Sequence, residues 1–249
     1  MENYKKKYSE FFNKINELNK YNLEKNKFIN IFFLLKPHPF FLQKYKILDK
    51  TIYFLLSKIF INLLLLTKNF IKNVIKFDNK VKSKKNKNKF DYIIFSHLVS
   101  NVKLMQNDFY FNEFIKYLKK KKKNYLIVYF QHYKRIDKNF FSKKQNFFFF
   151  KQNLSFFEEL SCLLYTIKLF FFYVIYPSIN FKHRLVILSE LLDRQTSFNI
   201  KTYYQCKKLF KKISYDNVIC TFEGFNFEKI VFEISKYYNK KVINIGYQH

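Results

Sequence analysis

Three of the five histidines close short apolar runs: His97 ends YIIFSH, His132 ends LIVYFQH and His249 ends VINIGYQH. If these runs are parallel strands, all three imidazoles lie on the carboxyl edge of one sheet, where doubly wound folds bind their ligands. A neutral imidazole near pH 7 can take the proton from a hydroxyl nucleophile. It can equally be a structural or solvated strand-end residue, and the residues alone leave both readings open. Between two of the runs, TFEGFN carries Glu223 and Gly224 at a turn from strand to helix. One reading lets Gly224 admit a ligand to the backbone while Glu223 binds or orients a hydroxyl. The other is an ordinary tight turn with a solvated carboxylate beside a helix dipole. The sequence has no GxGxxG, GK[ST], HExxH or DxD and no Ser nucleophile elbow, so dinucleotide, P-loop, metalloprotease and Ser-hydrolase chemistry lack their signatures. Cys162, Cys206 and Cys220 show no CxxC spacing and read as reduced thiols, with no zinc site.

Positioning those groups requires a particular order of elements. Residues 1–77 read as a helical N-terminal region, broken at KPHP by Pro37 and Pro39 and followed by a long apolar helix or helix pair from Phe41 to Phe77. DNKVKSKKNKNK, residues 78–89, has almost no apolar residues and reads as a solvated linker. From Phe90 the pattern becomes α/β. Short apolar runs predict strands near 91–96, 125–131, 216–222 and 241–247. The first pair is separated by Phe111, Phe114, Ile115 and Leu118 at helical spacing. The last pair is separated by Phe227, Ile230, Val231, Ile234 and Tyr237 on one helical face, with Asn226 as the expected N-cap and Glu228 in the first turn. The stretch between, 153–212, reads as mostly helical. Two βαβ units imply a Rossmann-like parallel sheet over 90–249 with right-handed crossovers.

Composition narrows the partners. The formal net charge is +29, but 44 of the 47 basic residues are Lys, and Lys, Asn, Ile, Phe and Tyr crowd every segment, as in AT-rich genomes. Arg, the better bidentate reader of phosphates and bases, is limited to Arg135, Arg184 and Arg194. Sequence-specific nucleic-acid binding is therefore disfavoured, whereas attraction to an anionic membrane surface needs only point charges. Two apolar stretches, 51–66 and 160–179, are slightly short for a membrane span and carry Lys58 and Lys168. They read as buried or interfacial helices. In a chain with only two glycines, Gly224 and Gly246, each is expected to sit where the backbone needs it.

The closing block TFEGFNFEKIVFEISKYYNKKVINIGYQH resembles a block of bacterial surface-carbohydrate biosynthesis proteins with a glycosyltransferase-B-like fold. Those carry a strand, a Thr-[Tyr/Phe]-Glu-Gly turn, a Trp/Phe-Glu pair opening the next helix, and a strand ending Gly-Tyr-Gln-His-Gly. Thr221, Phe222, Glu223, Gly224, Phe227, Glu228, Gly246, Tyr247, Gln248 and His249 match in order, and FSHL…DFYFNEF is similar to the first strand and helix of the same domain. A more distant similarity, to the glycerol-phosphate polymerases of teichoic acid synthesis, rests on a strand ending in His-Gly whose histidine is the acceptor's base.

The resemblance implies His249 as general base and Glu223 as a hydroxyl-binding or His-orienting carboxylate, with Gly224, His97, His132 and Gln248 at the substrate. It implies transfer without metal or cofactor, with a nucleotide-sugar as co-substrate if a second domain holds it. It also predicts a Gly after His249 and a second Rossmann-like domain, so the expectation is a truncated N-terminal, acceptor-side half. The expected setting is cytoplasmic, or peripheral on the inner face of the plasma membrane, with a glycan or lipid-linked acceptor for capsule or O-antigen. The competing expectation is a non-catalytic protein of the same pathway that binds a membrane surface or a lipid-linked glycan. A basic nucleic-acid-binding protein is the third.

Overall fold

Runs rich in Ile, Phe, Tyr and Val suit a pleated surface covered on both faces, as parallel sheets require. The computed structural model describes residues 9, 10, 13, 49–75, 89–98, 108, 110–131, 146–151, 153–175, 179–222 and 225–248. In chain order its elements are α1 (Ile52–Ile75), β1 (Lys89–Leu98), α2 (Asn112–Lys120), β2 (Tyr125–Gln131), β3 (Phe147–Phe150), α3 (Phe156–Ile175), α4 (Phe181–Leu191), α5 (Arg194–Phe210), β4 (Ser214–Thr221), α6 (Asn226–Tyr238) and β5 (Ile243–Tyr247). The five strands form one sheet in the order β3-β2-β1-β4-β5, and every neighbouring pair is parallel. The α/β, Rossmann-like class expected from the sequence is therefore present, with the apolar helix α1 ahead of it. β3 is an addition: FFFF has no alternation to announce it, and it pairs with β2 from Ile127↔Phe147 to Phe130↔Phe150.

The chain divides into two compact units, each assembled from separated stretches. One comprises Met1–Ile75, Ser155–Lys201 and Gly224–Ile230; the other comprises Lys76–Leu154, Thr202–Glu223 and Val231–His249. The sequence boundary at residues 78–88 lies outside the described residues, and Lys89 already belongs to β1.

In the sheet unit, alternate residues face opposite ways. Ile94, Ile127, Phe147, Phe149 and Ile219 pack with Phe111, Ile115 and Leu118 of the α2 segment. On the opposite face Phe95 meets Phe130, Phe150 and Phe210 of α5 at ring separations of 6.0, 5.7 and 5.9 Å. Asn244 of β5, with its side chain on the opposite side from Ile243 and Ile245, accepts from Ser235 Oγ of α6 at 2.8 Å. Helices thus lie on both faces. Ile243, Ile245 and Tyr247 stay exposed.

The helical unit centres on α4, whose Leu185, Val186, Ile187, Leu188, Ser189 and Leu191 are all buried. Its helix starts are capped by side chains. Ser155 N and Oγ donate to Glu158 Oε2 at 3.0 and 2.8 Å ahead of α3. His183 N donates to Asn180 Oδ1 at 2.8 Å, and Gln195 N to Asp193 Oδ1 at 2.8 Å. These bonds satisfy N–H groups that a helix start leaves without carbonyl partners. At α6 the expected cap moves by one residue. Asn226 is the first helical residue, and the buried Glu228 carboxylate accepts from Phe225 N at 2.9 Å, the return half of a capping box.

Candidate functional site

The strand order reverses direction at β1. β2 and β3 lie on one side of it, β4 and β5 on the other. In open parallel sheets, the crevice at such a switch point, outside the carboxyl strand ends, is where ligands bind. Register fixes which residues reach that edge. His97 pairs with Phe130, Phe95 with Cys220, and Thr221 with Tyr247. The ends of β1, β2, β4 and β5 therefore share one level.

Among the sequence-predicted site residues, His97 and Gln248 are described. His97 is half-buried at the end of β1. Its ring stacks on Phe130 at 5.2 Å and meets Tyr110 edge-on at 5.9 Å. Gln248 is exposed immediately beyond β5. Glu223, Gly224, His132 and His249 lie outside the described residues. Their neighbours in sequence, Phe222, Gln131 and Gln248, stand at the ends of β4, β2 and β5.

Gly246 sits beside that edge for a reason the fold makes explicit. A Cβ placed on it would lie 2.9 Å from Phe222 Cβ and 3.0 Å from its Cγ. The backbone there is drawn close, with Phe222 N donating to Tyr247 O at 2.8 Å. Gly246 thus allows β5 to approach the segment that leads into Glu223 and Gly224.

A second polar group occupies the same edge on the α2 side, and the sequence reading missed it. Asp108 Oδ1 accepts from Ser96 Oγ at 3.0 Å, Tyr110 N at 3.0 Å and Phe111 N at 2.8 Å. Burial, then the charge and hydrogen bond of Asp108, push the Tyr129 hydroxyl well above its usual range. Tyr129 is therefore a neutral hydroxyl, able to donate but not to act as a base, and Asp108 is the acceptor that ties Ser96 of β1 to the turn at Tyr110 and Phe111 ahead of α2. The available signal was an Asp directly ahead of a helical period, which marks a turn. Ser96 and Tyr129 are brought to it only by the sheet.

The thiols are chemically quiet. Burial, reinforced by Glu159 and opposed by Lys201, pushes Cys162 up to about 12, and burial alone carries Cys206 well above its usual value. All three cysteines are free and buried, and a thiol held neutral is a poor nucleophile. Among the described residues no group of three or more His, Cys, Asp or Glu is arranged to hold a metal ion. The edge thus presents the half-buried His97 imidazole against aromatic rings, while the Ser96, Thr221 and Tyr129 hydroxyls lie buried beneath it and Ser96 is spent on Asp108. Compared with protein-family models, with curated proteins and with solved structures, the chain matches none.

Proposed function

We propose that this chain is the acceptor-side half of a glycosyltransferase-like protein of surface polysaccharide biosynthesis. It would hold a glycan or lipid-linked acceptor at the carboxyl edge of the sheet, at the cytoplasmic face of the membrane, while a nucleotide-sugar supplies the transferred group. The observation that carries the reading is the β3-β2-β1-β4-β5 parallel order. It makes the ends of β1 and β4 neighbours at the switch point, and in sequence those ends carry His97 and the start of the Thr221–Gly224 motif. The transfer needs a base for the acceptor hydroxyl, and His249 closes the motif next to β5. Glu223 holds or orients that hydroxyl. A positioned general base is worth about 10²–10⁴-fold in rate.

The test is a calorimetric titration of the whole chain with farnesyl-diphosphate-linked N-acetylglucosamine and, separately, with a free N-acetylglucosamine oligomer. Saturable binding to at least one probe is expected, weakened about tenfold or more by Glu223→Gln with unchanged circular dichroism. Binding to neither, or binding equally tight in the variant, overturns the proposal.

A further inference from the structure

An amphipathic helix of a water-soluble fold turns its apolar stripe inward and its polar face to water. α1 departs from that pattern, with apolar side chains on its outer face as well. Along its 24 residues only Leu55 and Asn62 are buried. Its inner face mixes Leu55 and the half-buried Ile59, Leu66, Phe70 and Val74 with polar residues tied to neighbours: Lys58 Nζ lies 2.6 Å from Glu190 Oε1, Asn62 Nδ2 donates to Ser189 O at 3.0 Å, and Asn73 Nδ2 donates to Glu159 Oε2 at 3.5 Å. Its outer row, at helical spacing, is Tyr53, Phe60, Leu64, Ile71 and Ile75, which are 83%, 63%, 57%, 52% and 77% exposed. Lys50, Lys68 and Lys72 are exposed along one flank of that row. α3 likewise leaves Phe157, Phe171 and Ile175 exposed, while burying Glu159, Cys162, Thr166, Leu169 and Tyr173.

We infer that α1 is a membrane-docking helix that lies along an anionic bilayer surface, with its outer row in the boundary between headgroups and acyl chains. Charge selects the partner. A net charge of +29 repels a second copy of this chain and attracts an anionic leaflet. Flanking lysines beside a continuous apolar row are the pattern of interfacial helices. Length selects the orientation. α1 is the one described helix long and apolar enough to cross a membrane, at about 36 Å. The middle of the helix, however, is fastened through Lys58 and Asn62 to α4, which has 11 residues and spans about 16 Å, too short to accompany it through a core of about 30 Å. The inference shares with the proposed function only the membrane surface, and the transfer chemistry can fail without affecting it.

The chain has no Trp, so a single introduced indole reports cleanly. Phe60→Trp and, as a control in the sheet unit, Tyr117→Trp are mixed with phosphatidylglycerol vesicles carrying bromines at shallow or deep acyl positions. Phe60→Trp is expected to shift to the blue and be quenched most by shallow bromines, with Tyr117→Trp unquenched. Phe60→Lys/Leu64→Lys, which alters exposed positions and adds positive charge, should lower the partition coefficient about a hundredfold or more. Absence of partitioning, partitioning undiminished in the double variant, quenching strongest at the bilayer centre, or a stable oligomer that the double variant dissolves would each overturn the inference.

Discussion

At Gly246 a missing side chain controls the spacing of two segments. Its would-be Cβ lies 2.9 Å from Phe222 Cβ, an atom that cannot swing aside by rotation of its own ring. Gly246→Ala should therefore force the two segments apart and cost about 1–3 kcal/mol, as overpacking does. A urea unfolding midpoint measures it, and an unchanged midpoint would show that the approach is not constrained. The scarcity of glycine in the sequence drew attention to this position, and the fold supplies the reason: the close neighbour is Phe222, 24 residues earlier. His97 was legible because it ends an apolar run. The Ser96–Asp108–Tyr129 group was not, since each member looks ordinary until the parallel pairing of β1 with β2 sets Ser96 opposite Tyr129.

Among the elements, α2 shows what glycine scarcity costs. Lys122 N donates to Lys119 O at 3.1 Å and Lys123 N to Leu118 O at 3.0 Å, the paired bonds of a Schellman ending. Lys122 occupies the left-handed position of that motif, with φ 53°, where glycine is the usual residue. Lys122→Gly is expected to stabilise the protein by about 1 kcal/mol, read as a raised melting temperature; a lowered one would refute the strain. Between α3 and α5 the ion pair Lys201–Glu159, at 2.6 Å, is nearly closed to solvent, with side-chain exposures of 11% and 4%. Lys201→Met alone leaves a buried carboxylate without its cation and should cost about 3–5 kcal/mol. Glu159→Leu/Lys201→Met should recover most of that loss. Equal losses in both would mean that the pair contributes net stability. Periodicity identified α2 and α6, though Tyr237, assigned to the inner face of α6, is 62% exposed. It could not identify β3, whose four phenylalanines carry no period at all.

For the molecule as a whole, the fold class was legible because βαβ units announce themselves by alternating periods within about 40 residues. The membership of the two units was not. Helices from 155–201 group with Met1–Ile75, and that grouping depends on packing between residues more than a hundred positions apart, such as Asn62 with Ser189. The same interleaving governs how the chain can be made. β1 ends at residue 98, but its second neighbour, β4, begins only at residue 214. During synthesis at about 5–20 residues per second, β1, β2 and β3 exist for several seconds before β4 leaves the ribosome. Throughout that interval one edge of β1, with the apolar side chains of Ile93, Ile94 and Phe95, lacks its partner strand. Contacts this distant in sequence form slowly, and an unpaired apolar edge is a template for association. A nascent chain halted before β4 is complete at Thr221 is therefore expected to be the species most exposed to aggregation, and slowing translation over that stretch is expected to lower the yield of folded protein.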